Sequence, residues 1–153
     1  MSAYVVSIYT ATAEGAPMQS QKSVELVAGS GIVGDRYATG EGHFSDPKYA
    51  DKQLTLVEAE VAERVGLSPD QTRRNVVTRG IVLESLIGKT FRIGDTEIRG
   101  IRPCDPCAYL ESLTRPGLVK DMLHKGGLRA EIVRGGQVCV GDELILESGE
   151  RSE

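Results

Sequence analysis

The sequence predicts a mainly β domain with short helices: a barrel-like arrangement of mixed or antiparallel strands, partly closed, with α+β decoration at its periphery. Three observations predict it. Eighteen glycines punctuate the 153 residues, and glycine marks tight turns, so the chain breaks into many short pieces. About eight of those pieces alternate apolar and polar residues or are rich in β-branched types, which is strand patterning. Strands do not alternate regularly with full-length helices, which argues against a doubly wound parallel sheet.

Taken in order, Tyr4–Thr10 is rich in β-branched and aromatic residues and reads as a first strand. Ala11–Gln21 is small and polar, a loop. Ser23–Val27 alternates and reads as a second strand. From Gly29 through Pro47 the chain is rich in glycine and polar residues, a long surface loop of the kind that often carries function. Gln53–Val57 is a short strand. Glu58–Val65 follows with apolar residues at helical spacing, acidic residues near its start and Gly66 as its stop. Ser68-Pro69-Asp70 opens another short helical turn. Val76–Thr78 is a strand, and Leu83–Ile87 a single helical turn ended by Gly88.

Thr90–Ile93 and Thr96–Ile101 flank Gly94-Asp95, which is the pattern of a β-hairpin. Cys107–Leu113 and Leu118–His124 read as short helices separated by Arg115-Pro116-Gly117. Leu128–Val133, Gln137–Val140 and Leu144–Glu147 are the last strands, turned by Gly135-Gly136 and Gly141-Asp142, and residues from Gly149 onward read as a frayed tail. No repeat or linker divides the chain, so residues 1–153 form a single domain.

Composition narrows the function classes. With 40% hydrophobic and 26% charged residues, the chain is ordinary for a globular protein and needs no disulfides to build a core. The net charge is −4 and no basic stripe occurs, so nucleic acid is not an expected partner. No apolar run reaches the roughly 18 residues of a membrane span, and the N-terminus lacks the pattern of a signal peptide. Three cysteines, an odd number, without an export signal, point to a reducing cytoplasm.

The stretch Arg102-Pro103-Cys104-Asp105-Pro106-Cys107-Ala108-Tyr109 joins a strand to a helix. A sulfur at a helix N-terminus meets unpaired N–H groups and a partial positive charge, which favour the reactive thiolate. The prolines stiffen the turn and hold the sulfur in place. Four readings stand. A structural zinc site needs two more ligands, and only Cys139, His43 and His124 remain. A dithiol redox pair lacks its usual βαβ context. The cysteines are turn residues without chemistry. Or one of them is a reactive or metal-binding thiolate, the reading the setting favours. Cys139, among apolar residues in mid-strand, reads as core.

Outside that stretch, Arg73-Arg74-Asn75 before a strand is either a solvated pair of arginines or a fork of donors for phosphate or carboxylate, with the asparagine amide fixing a polar ring. Gly34-Asp35-Arg36 divides the same way: the aspartate closes a turn and the arginine reaches an anion. His43 reads as surface. His124, beside Lys125 at a helix end, complements the helix dipole.

Several short motifs then fall into an order: Gly34-Asp35-Arg36; Arg73-Arg74-Asn75-Val76-Val77-Thr78-x-Gly80; Leu86-Ile87-Gly88-Lys89-x-Phe91-Arg92-Ile93-Gly94-Asp95; Pro103-Cys104-Asp105-Pro106-Cys107; Gly126-Gly127-Leu128-Arg129-Ala130; and Gly141-Asp142. The ordered set resembles the MOSC domain, named for the C-terminal domain of molybdenum cofactor sulfurase, over about Val24 to Leu146. The resemblance implies a β-barrel-like domain whose functional thiol, in the members that bind molybdenum cofactor (molybdopterin), ligates the metal. Cys107 matches that thiol, with Cys104 as the competing assignment. Arg73 and Asn75 match an Arg-x-Asn that contacts the pterin, Arg36 matches an arginine of similar role, and Thr78 of the same motif goes with them. The chain is too short for the extra N-terminal barrel of the larger eukaryotic members.

The activity so implied is reduction of an N- or S-oxygenated small molecule. The alternatives are a sulfur carrier that holds a Cys107 persulfide for cofactor or metal-cluster assembly, exchanging it with sulfur donor or acceptor proteins, and a non-catalytic module for anions or a partner.

Overall fold

The computed structural model describes residues 3–13, 15–35, 53–104, 108–122 and 126–146. Among them run eleven strands and three short α-helices. The strands are β1 (Ala3–Thr10), β2 (Gln19–Gln21), β3 (Ser23–Val27), β4 (Gly31–Ile32), β5 (Leu54–Glu58), β6 (Val76–Arg79), β7 (Thr90–Ile93), β8 (Thr96–Pro103), β9 (Leu128–Arg134), β10 (Gly136–Cys139) and β11 (Glu143–Leu146). The helices are α1 (Ala59–Val65), α2 (Ala108–Leu113) and α3 (Leu118–Asp121). The architecture is mainly β, as the patterning predicts.

Seven strands close a mixed barrel in the order β11-β7-β8-β9-β5-β6-β1, sealed where β1 pairs again with β11 through Ala3 and Leu144. Neighbours are antiparallel except β5 and β6, which run parallel with Leu56 beside Val76. A parallel pair needs a crossover, and α1 with a 3-10 turn at Pro69–Thr72 supplies it. Strand β2 extends the barrel sheet beyond β1, and β10-β3-β4 form a second, three-stranded sheet. Strands β2 and β4 fall where the sequence reads as loop. Gln19-Ser20-Gln21 has no apolar face and Gly31-Ile32 is only two residues long, so their pairing comes from their partners.

Local chemistry explains the pieces that set the frame. Residues Leu54, Thr55, Leu56 and Val57 of β5 are all buried because the strand is covered on both faces. Leu54 and Leu56 join Val5, Ile8, Val76, Ile98, Leu128 and Ala130 in the barrel interior. Val57 and Val77 point outward and pack with Val61, Val65, Leu110, Leu118 and Met122 of the helices. Helix α1 buries Ala59, Val61, Ala62 and Val65, and Gly66 ends it at φ 80° in the left-handed region, donating to the carbonyls of Ala62 and Glu63. The β7–β8 hairpin turns on Gly94 at φ 57°, with Ile93 opposite Thr96. Among the described residues no helix is long and apolar enough to cross a membrane.

Candidate functional site

The site is built where the entry to β6 meets the ends of β1 and β8. The 3-10 turn ends on Arg73, whose φ of 58° makes it the one non-glycine residue with positive φ among those described. A non-glycine residue in the left-handed region is uncommon and points to a constraint from its surroundings. Here it turns the chain so that Arg74 and Asn75 enter β6 on opposite sides.

Arg74 is 7% exposed and acts as a bracket. Its Nε donates to the Gly126 carbonyl at 2.9 Å, Nη2 to the Cys104 carbonyl at 2.8 Å and Nη1 to the Thr72 carbonyl at 3.3 Å. The Cys104 N–H in turn donates to the Gly127 carbonyl at 2.8 Å. One guanidinium therefore ties the Arg-Arg-Asn segment to the start of the cysteine stretch and to the double glycine before β9. Gly127 permits this approach. It sits at φ 123°, and a Cβ there would run into the Leu56 carbonyl oxygen.

Asn75 is fully buried. Its Oδ1 accepts from the N–H and the hydroxyl of Thr55, both at 3.2 Å, and its Nδ2 donates to the Tyr9 carbonyl at 3.1 Å. The Tyr9 N–H returns a bond to the Asn75 carbonyl at 2.7 Å. The amide thus stitches β1, β5 and the entry of β6 together. Just past the end of β1, the Ala11 N–H donates to Oδ1 of buried Asp35 at 3.0 Å. That bond anchors the Gly34-Asp35 turn beside the same strand end.

Strand register places a polar row across the outer face. Arg102 lies opposite Arg129, Arg129 opposite Thr55, and Thr55 bonds Asn75, which bonds Tyr9. Residues in direct register on paired strands share a face. Val57 and Val77, two residues further along β5 and β6, open the apolar cluster beneath the helices, so the row borders the helical layer. A bulge in β8 between Gly100 and Arg102 brings Arg102, in place of Ile101, into register with Arg129.

Of the sequence-predicted residues, Asn75 lies in this row, Arg73 is half-buried next to it, and Cys104 is 1% exposed just past β8. Thr78 pairs with Val5, a residue of the barrel interior, and so faces away from Asn75. Its Oγ1 is buried with no hydrogen-bond partner among the described residues. Arg36, Cys107, His43, His124 and Lys125 lie outside the described residues, as does most of the glycine-rich loop. Cys139 is not core. It is part-buried at the end of β10, where Val138 takes the inward position and the Cys139 N–H donates to the Asp142 carboxylate at 2.8 Å. Sequence reasoning named Arg74 only as part of the Arg73-Arg74-Asn75 fork, not as the bracket it forms, and passed over Arg129 as a site residue. The signal for Arg129 is a charged residue inside the apolar run Leu128–Ala130, and it is buried at 8% exposure.

A family model of the MOSC domain matches residues 43–145. The chain belongs to the MOSC family. The matched stretch runs through β5 to β11 and leaves Gly34-Asp35-Arg36 outside it. Solved structures share the MOSC chain's architecture. The YuaD protein of Bacillus subtilis superposes with a TM-score of 0.76 at 22% identity, covering 94% of each chain. YiiM from Geobacillus stearothermophilus gives 0.73 at 17% identity, over 95% of this chain and 75% of that one. YiiM from Escherichia coli gives 0.68 at 22%, over 97% and 70%. At such identities the likeness speaks for the fold. No curated protein matches the MOSC chain in sequence.

Proposed function

We propose that this MOSC protein binds molybdenum cofactor (molybdopterin), with Cys107 as the thiolate ligand, and reduces an N- or S-oxygenated small molecule. The observation that carries the reading is the Arg74 bracket, which joins the Arg73–Asn75 segment to the Cys104 carbonyl and the Gly126 carbonyl. Two motifs 30 residues apart in sequence are thereby held as one unit.

The donor set fits an anionic, sulfur-ligated group. A thiolate is the soft ligand that molybdenum takes, and guanidinium forks suit a phosphate. Arg36 and Arg73 would hold the phosphate. Asn75, with its amide committed to Thr55 and Tyr9, would shape the floor on which the pterin rests. When bound, the cofactor supplies the two-electron chemistry. The chain's own part would be to offer the Cys107 thiolate and to orient the group through Arg36, Arg73 and Asn75.

The test is molybdenum quantification beside the ultraviolet-visible spectrum, on protein expressed with molybdate. Wild type should carry molybdenum, and Cys107→Ser should lose it with an unchanged circular dichroism spectrum. Loss in Cys104→Ser with retention in Cys107→Ser would transfer the role to Cys104. Wild type without molybdenum, active nonetheless and unaffected by Cys107→Ser, would end the reading.

A further inference from the structure

We propose that the cavity between Glu58 and the 3-10 turn Leu83–Leu86 binds the primary ammonium group of a small alkylamine. Its charged lining is two carboxylates, Glu58 at the end of β5 and Glu84 on the turn, and no lysine or arginine lines it. Val82, Leu83, Ile87 and Pro103 make the rest of the side-chain wall aliphatic. The space is about 10 Å³, enough for one water-sized group. An anionic recess of that size with an apolar approach matches an ammonium head on a hydrocarbon stem.

Side-chain geometry fixes the main acid. Glu58 is the N-cap residue of α1, yet its side chain makes no capping bond. The carboxylate turns to the 3-10 turn instead, where Oε2 accepts the Leu83 N–H at 3.0 Å. That bond holds the group against the cavity. A carboxylate has lone pairs for several donors, so Glu58 can accept an ammonium proton beside the Leu83 N–H. Glu58 is half-buried and Glu84 is exposed, so negative charge runs from the rim inward and gives a cation a way in. Val82, 54% exposed, offers hydrocarbon to the stem. Calcium takes roughly six to eight oxygens and magnesium a near-ideal octahedron, more than this lining provides. An ammonium has only three N–H donors to place, and two carboxylates can take them. The opposite wall leads to the cysteine stretch: Pro103 immediately precedes Cys104, whose N–H donates to the Gly127 carbonyl at 2.8 Å, and Gly127 also lines the cavity.

Amide NMR of the isotopically labelled full chain, purified without molybdate, tests the site. Butylammonium chloride is titrated at neutral pH, where the amine is charged, with ionic strength held constant in sodium chloride. The Leu83 and Gly127 amides should shift along one saturable curve in the millimolar range. Glu58→Gln keeps an acceptor for the Leu83 N–H and loses the charge, and should weaken binding about tenfold. Glu84→Lys, an exposed change that brings a like charge to the rim, should abolish it. Glu143→Gln, an exposed change on β11, should bind as wild type does. Butanol, which lacks the charge, should give no saturable shift. Nor should tetramethylammonium, which lacks N–H donors and is too bulky for a water-sized space, or potassium chloride. Absence of a saturable shift in wild type, wild-type affinity in Glu58→Gln or Glu84→Lys, or an equal response to any of the three control solutes overturns the proposal. Molybdenum takes no part in the titration, so its outcome is separate from that of the cofactor reading.

Discussion

Replacing Arg74 with methionine keeps much of the side chain's length and removes every bond of the bracket. The contacts to Gly126 and Cys104, at 2.9 and 2.8 Å, are charge-assisted and worth about 1.5–3 kcal/mol each. The longer contact to Thr72, 3.3 Å, adds about 0.5 kcal/mol. Against their sum, methionine gains apolar burial and removes the cost of holding a charge out of water, a return of about 1–4 kcal/mol. The expected net loss is about 2–3 kcal/mol. At this chain length each kcal/mol lowers Tm by roughly 2–4 °C, so the variant should melt about 5–10 °C lower. Urea unfolding should show a reduced midpoint with an unchanged slope, because the surface exposed on unfolding stays the same. Arg74→Lys keeps the charge but reaches only one carbonyl at a time, and should lose about half as much. If Arg74→Met stays within about 0.5 kcal/mol of wild type, the bracket is not what joins the Arg-Arg-Asn segment to the cysteine stretch.

Two further outcomes follow from the same region and its surroundings. Gly127→Ala should cost about 2–4 kcal/mol, because the new methyl meets the Leu56 carbonyl and the backbone stands at φ 123°; an unchanged urea midpoint would mean that β5 and β9 have slack there. Under native conditions an alkylating reagent followed by peptide mass spectrometry should label part-buried Cys139 before Cys104, which is 1% exposed, with Cys104 reacting only as fast as its segment opens. Labelling of Cys104 first would show that the stretch after β8 is far looser than its hydrogen bonds imply.

The elements with a strong period were legible in the sequence. The β7–β8 hairpin follows from two alternating runs around Gly94-Asp95, and α1 from its apolar spacing and its glycine stop. What escaped was whatever depends on pairing across the chain. Strands β2 and β4 have no pattern of their own. The parallel contact of β5 with β6 leaves no local mark beyond a short run buried on both faces. Cys139 looked like core because Val138 and Val140 flank it, yet a strand buries alternate residues, and here only Val138 is taken while Val140 stays 45% exposed. At the site, Asn75 was legible as a polar residue at a strand entry. Arg73 and Arg74 are identical in sequence terms, and only the left-handed turn at Arg73 decides which becomes the bracket. The meeting of Arg102 with Arg129 needs the bulged register and cannot be read from either strand alone.

The seal between β1 and β11 bears on how the chain is made. β1 is made before the other strands of the barrel, but the first part of one of its edges, at Ala3 and Tyr4, has no strand partner until Glu143 and Leu144 arrive, while β2 covers the rest of that edge. Until then that edge and the open edge of β7 present unpaired N–H and C=O groups, the kind of surface that invites pairing with another chain. Ring closure joins residues from opposite ends of the sequence, so it waits on the slow search that long-range strand pairing demands. A nascent or truncated chain that stops before β11 would therefore hold most of its strands and still lack a barrel, with two sticky edges where the finished molecule has a continuous wall.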